Sequence, residues 1–143
     1  MEFISNSRQE TAEIAKKFSA SVKQGDIICL NGDLGAGKTA FTGGFAAGLG
    51  YTGYVSSPTF ALINEYAGDI MIYHFDVYRI DESVEMFDIG IDDYLFGDGV
   101  CIIEWAERIK ELLPENVINV NIEKDITKGE DFRRIIIEGG EGN

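Results

Sequence analysis

The residues whose types and spacing most clearly suggest chemistry are Gly32-Asp33-Leu34-Gly35-Ala36-Gly37-Lys38-Thr39. They fit Gly-x-x-x-x-Gly-Lys-[Ser/Thr], a phosphate-binding loop in which glycines let successive main-chain N–H groups converge on an anion. The lysine adds a point charge at the β- and γ-phosphates, and the hydroxyl is suited to ligate Mg²⁺. A chain of this composition matches the pattern by chance only about once in a hundred, so an ordinary glycine-rich turn is the weaker explanation. The nucleotide-binding run expected here is Gly32, Asp33, Leu34, Gly35, Ala36, Gly37, Lys38, Thr39 and Ala40, with a nucleotide polyphosphate, ATP or GTP, as ligand and Thr39 on the metal. Such a site also needs an acid at the end of a neighbouring strand, to hold the metal or its water. Glu104 ends the run Val100–Ile103 and Asp76 ends the run Ile70–Phe75, so both are candidates beside Lys38. Other marked residues have plainer readings. His74 lines a strand face, Trp105 is core or a lid beside the nucleotide, Arg79 pairs with phosphate or with the acidic surface, and Asp92-Asp93 is a solvated turn.

The elements that must position these groups follow from periodicity. Ser7 with Glu10 has capping-box spacing, and Ile14, Phe18 and Val22 recur on one helical face until Gly25-Asp26. Ile27–Leu30 is apolar on both faces, as a buried parallel strand requires. A second helix follows the loop, with Phe41, Phe45 and Leu49 inward, although Gly43 and Gly44 weaken it on propensity. Beyond the Ser56-Ser57-Pro58 turn, Phe60–Tyr66 and Ile70–Phe75 form a hairpin about Gly68-Asp69. A short helix at Glu82–Phe87, a strand at Val100–Ile103, a helix at Ala106–Leu113, and strands at Ile118–Ile122 and Arg134–Glu138 complete the pattern. Strands alternating with helices predict an α/β chain: a three-layer, P-loop NTPase-like fold on a mainly parallel, partly mixed sheet.

Composition bounds the function. The 143 residues predict one domain over 1–138 and a frayed tail at 139–143. A net charge of −13 disfavours binding nucleic acid by surface charge, so an anionic ligand must be held by a local field. Cys29 and Cys101 lie in apolar runs and are expected in the core rather than in a disulfide or a metal site. No apolar stretch reaches membrane-spanning length and no basic leader precedes one, which points to the cytoplasm. Three activities compete on the loop alone: a partner-coupled ATPase, a small-molecule kinase and a GTPase. No Asn-Lys-x-Asp string for guanine occurs. The five arginines, Arg8, Arg79, Arg108, Arg133 and Arg134, form no obvious kinase lid, so an ATPase working with another protein is favoured.

Four motifs in order resemble one family, the TsaE (YjeE-type) P-loop ATPases of bacterial tRNA threonylcarbamoyladenosine synthesis. They are the phosphate loop, Ser57-Pro58-Thr59-Phe60, His74-Phe75-Asp76-Val77-Tyr78-Arg79 and Ile103-Glu104-Trp105. The resemblance spans nearly the whole chain. It implies that Glu104 is the acid near Mg²⁺ and that Asp76 supports metal or attacking water. It further implies that Thr59 sits near the γ-phosphate and that Trp105 shields the nucleotide. Arg133 would lie near the base, Arg134 being an equally close match. The implied partners are the TsaD and TsaB proteins, which carry the carbamoyl transfer and the tRNA contact. The tRNA would then be met only indirectly. A nucleotide-gated clamp for that complex is the alternative.

Overall fold

The computed structural model describes residues 1–33, 35–56, 58, 63–78 and 90–139. Seven strands form one sheet: β1 (Glu2–Ser5), β2 (Ile27–Gly32), β3 (Ile63–Ala67), β4 (Met71–Asp76), β5 (Val100–Glu104), β6 (Ile118–Lys124) and β7 (Arg133–Gly139). Their order is β1-β7-β6-β2-β5-β4-β3. The centre is parallel, with β2 between β5 and β6 and with β4 beside β5. The pairs β1–β7, β6–β7 and β3–β4 are antiparallel and close the two sides. Because β2 has parallel neighbours on both sides, the loop after it opens at the carboxyl edge where the strand order reverses, the usual ligand crevice of such sheets.

Two helices cover one face, α1 (Arg8–Ser19) and α2 (Lys38–Gly48). Phe18, Phe41 and Phe45 pack there on Ile28, Leu30, Ile72, Ile102 and Val120. Phe41 and Phe45 are fully buried, each contributing roughly 1.5–3 kcal/mol by leaving water. The other face buries Ile27, Cys29, Phe75, Cys101 and Ile103 under α3 (Ile91–Leu95) and a 3-10 helix at Ala106–Leu112. The expected three-layer α/β architecture is the one found.

Gly44 and Gly48 have a packing reason that their helix propensity hides. A Cβ on Gly44 would strike the Ala12 main chain, and one on Gly48 would strike the Ser19 hydroxyl, so the two helices cross at contact distance. Gly43 faces open space. Ser7 caps α1 as its spacing predicts, its Oγ accepting from Glu10 N at 3.0 Å. The Glu10 carboxylate reaches one residue further back than a capping box requires, accepting from Asn6 N at 2.7 Å.

Several boundaries differ from the sequence expectation. α1 stops at Ser19, so Val22 is buried from beyond its end. β1 is a short edge strand that four residues of weak alternation did not reveal. The second hairpin strand begins at Met71 rather than at Ile70. Asp92 and Asp93 occupy the first turn of α3 rather than a loop. The helix over Ala106–Leu113 is a 3-10 segment kinked at Ile109. β7 includes Gly139, which pairs with Ile118 instead of belonging to a frayed end. The predicted helix Glu82–Phe87, Arg79 and the start of the first hairpin strand lie outside the described residues. Among the described residues, no helix is long and apolar enough to cross a membrane.

Candidate functional site

The loop from β2 to α2 is built around three glycines. Gly35 and Gly37 have φ of 79° and 106°, left-handed values that favour glycine. A Cβ on Gly32 would stand 2.9 Å from the Ile122 carbonyl oxygen, so the loop lies tight against β6. Within it, Ala36 N donates to Asp33 O at 2.9 Å. Gly37 caps α2, and Lys38, Thr39 and Ala40 form its first turn, which places the N-terminal helix N–H groups and the positive end of the helix dipole at the loop.

Arg133, the first residue of β7, holds this loop from outside. Its Nε donates to Ala36 O at 2.8 Å and its Nη2 to Gly35 O at 3.3 Å. Its Nη1 donates to Glu130 O and Phe132 O at 3.0 and 2.7 Å. The peptide group is planar and trans, so an Ala36 carbonyl turned toward Arg133 aims the Gly37 N–H the opposite way. Arg134, the alternative match, instead faces Glu2 and Glu123 at 3.5 and 3.6 Å. The guanidinium expected near a base is thus engaged with main-chain oxygens of the loop. The Lys124 ammonium is a second cation here, 3.7 Å from where a Gly35 Cβ would stand.

Lys38 is buried, with Nζ 3.6 Å from Glu104 Oε1 and 5.0 Å from the centre of the Trp105 ring. Both contacts follow from Glu104 ending β5 beside β2, in register with Leu30. Asp76 ends β4 in register with Glu104, so the two candidate acids sit side by side at the strand ends. Asp76 Oδ1 accepts from Tyr78 N at 3.0 Å. Trp105 carries a φ of 63°, the one positive value at a non-glycine residue among those described. That backbone reversal accompanies a stack in which Tyr78 lies 4.8 Å from the indole and the Arg108 guanidinium 5.1 Å from Tyr78.

The second oxygen of Glu104 is held by His74, Nε2 to Oε2 at 2.6 Å. A carboxylate accepts only, so Nε2 carries the proton. His74 Nδ1 lies 3.0 Å from the Tyr66 hydroxyl, which donates to Ser56 O at 3.0 Å. Asn64 Nδ2 donates to the same Ser56 oxygen at 3.0 Å. Lys38, Glu104, His74 and Tyr66 are all buried. Burial pushes the Tyr66 hydroxyl above its ordinary value of 10.0, so it keeps its proton at neutral pH.

Lys38, Thr39, Glu104, Trp105 and Arg133 therefore meet around one loop, with Asp76 one strand further out beside Glu104. Leu34 and Thr59 lie outside the described residues. Sequence reasoning missed Tyr66 and Lys124 and gave His74 a plain structural role. The available donors, a hydroxyl on Thr39 and carboxylates on Glu104 and Asp76, are hard oxygens of the kind Mg²⁺ takes. Among the described residues no group of three or more His, Cys, Asp or Glu could hold a metal alone.

Comparison with known proteins places this geometry in context. The sequence model of the family "Threonylcarbamoyl adenosine biosynthesis protein TsaE" matches residues 5–135. A Bacillus subtilis protein named tRNA threonylcarbamoyladenosine biosynthesis protein TsaE is 48% identical over 128 residues, 89% of this chain and 78% of its own. A Treponema pallidum protein of the same name is 40% identical over 122 residues, 85% of this chain and 90% of its own. The crystal structure of Bacillus subtilis YdiB superposes with a TM-score of 0.79 at 40% identity, covering 97% of this chain and 84% of that one.

Proposed function

The chain belongs to the TsaE family of threonylcarbamoyladenosine biosynthesis proteins, and on that premise we propose that it is a Mg²⁺-dependent ATPase subunit supporting TsaD and TsaB in modifying tRNA. The observation that carries the proposal is the meeting of Lys38 with Glu104, at 3.6 Å, on a glycine loop at the crevice of the sheet. Glu104 and Trp105 hold the Lys38 ammonium. A bound triphosphate offers it a stronger partner and draws it onto the β- and γ-oxygens. The loop N–H groups and the α2 N-terminus take up the remaining negative charge. Thr39 and Glu104 would hold Mg²⁺, which supplies charge neutralisation on the phosphates. Asp76 is beside Glu104, suited to orienting the attacking water. No covalent intermediate is needed, since positioning and charge stabilisation supply the catalysis. Trp105 lies over the Lys38 ammonium, suited to shield a bound nucleotide. The acidic chain meets tRNA only through its partners and works in the cytoplasm.

Two measurements test this reading. Lys38→Ala should abolish or strongly weaken ATP binding, while Glu104→Ala should spare binding better than turnover; unchanged hydrolysis in both would reject the assignment. In a reconstituted system with TsaD and TsaB, multi-turnover tRNA modification should require hydrolysable ATP. Full modification with a non-hydrolysable analogue would make the subunit a nucleotide-gated clamp instead.

A further inference from the structure

The proposed reaction accounts for Lys38 and Glu104 but leaves the buried pair behind them without a task. A histidine with no exposure lies against a buried tyrosine that belongs to the large apolar cluster beneath α1 and α2. Burying two such polar groups is costly unless each is bonded; Asn64 Nδ2 lies 3.5 Å from the Tyr66 hydroxyl, and their other side-chain bonds run along one line. The line begins at Lys38 Nζ, passes Glu104 at 3.6 Å and His74 at 2.6 Å, crosses to Tyr66 at 3.0 Å and ends on the Ser56 carbonyl at 3.0 Å. Ser56 is the residue immediately before the Ser57-Pro58-Thr59-Phe60 motif. The line therefore joins the acid of the site to the main chain just before that motif.

We propose that His74 and Tyr66 are positioning residues for Glu104, fixing its carboxylate and tying that orientation to the main chain at Ser56. The inference deepens the ATPase reading and rests on it. A free glutamate at a strand end samples several rotamers. With Oε2 held by His74, Oε1 is the oxygen left for Lys38, as observed. Tyr66 fixes the ring of His74 in turn, as outer-shell partners orient a ligating group. The phenol has one proton and two acceptors within reach, Ser56 O and His74 Nδ1, so a shift of the Ser56 carbonyl changes which of them takes it and is felt at Glu104. The phosphate loop and the main chain at Ser56 are thereby joined through four side chains.

Tyr66→Phe keeps the ring packing and removes only the hydroxyl. Its kcat for ATP should fall about tenfold with KM within about twofold of wild type. His74→Gln, whose amide still donates toward Glu104, should retain more turnover than His74→Ala. His74 is the single histidine of the chain, so its ring nitrogens give one set of NMR signals. In the ATP-free protein the Nδ1 resonance should shift in Tyr66→Phe, and the Nε2–H signal should move in Glu104→Ala. An unchanged kcat or an unmoved Nδ1 signal in Tyr66→Phe overturns the proposal, as does a KM that rises as much as kcat falls. Glu104→Ala, assayed in parallel, separates the two failures. If it stops turnover while Tyr66→Phe does not, only the positioning role falls. If Glu104→Ala turns over normally, the ATPase assignment falls with it.

Discussion

Arg133 spends Nε and both terminal nitrogens on main-chain oxygens, two of them in the phosphate loop at Gly35 and Ala36. Charge-assisted bonds of this kind are worth about 1.5–3 kcal/mol each, enough to set the direction of a peptide plane. The consequence separates a loop clamp from a base contact. Arg133→Ala should weaken ATP and inorganic tripolyphosphate by the same factor, about ten- to a hundredfold in a competition titration. A loss confined to ATP would instead put Arg133 on the nucleoside. The choice between Arg133 and Arg134 could not be made from spacing, because adjacent strand residues point to opposite faces and the sequence does not say which face meets the loop. The two cysteines give a second residue-scale expectation. Burial pushes Cys29 up to about 11 and Cys101 up to about 12, from an ordinary value of 9.0. The unfolded thiols lose protons above about pH 9 while the folded ones retain them, so their contribution to stability is complete below that pH and lost as it rises toward 12. A thiol reagent at neutral pH should find both unreactive in the native chain, and a denaturation series should show stability falling above pH 9.

At the scale of elements, the hairpin explains why the buried line behind Glu104 was not legible. The sequence suggests a two-residue turn, Gly68-Asp69, with Ile70 opening the next strand. The observed connection also takes in Ile70, so Ala67 pairs with Met71, Tyr66 with Ile72 and Asn64 with His74. A one-residue slip sends every side chain of a strand to the other face, and it is this register that puts Tyr66 on the same face as His74. What fixes it is tertiary: Asp69 N donates to Leu49 O at 2.6 Å, docking the turn on the end of α2, and no local pattern encodes that contact. By contrast the phosphate loop, β2, α2 and the two acids at strand ends were all readable, because each is written in contiguous residues. The helix crossing yields a paired prediction. Gly44→Ala drives a methyl into the Ala12 main chain and should destabilise by about 1–3 kcal/mol. Gly43→Ala meets open space and should stabilise by about 0.5–1 kcal/mol through helix propensity. Equal melting temperatures for the two variants would contradict the close crossing.

For the whole molecule, the difficulty is a net charge of −13 on a chain assigned an anionic ligand. Its resolution is local. Lys38, Lys124 and Arg133 gather at one loop, whose N–H groups and helix terminus add positive potential that surface composition does not record. The remaining acidic surface repels phosphate backbones, in keeping with a subunit that reaches tRNA through others. The claim that this loop grips a triphosphate is tested most directly by calorimetric titration of ATP, in millimolar Mg²⁺, into the intact chain and into Lys38→Ala. Saturable one-to-one binding by the wild type that is abolished or strongly weakened in the variant is the predicted result. No heat with the wild type, or equal affinity in both proteins, would contradict it.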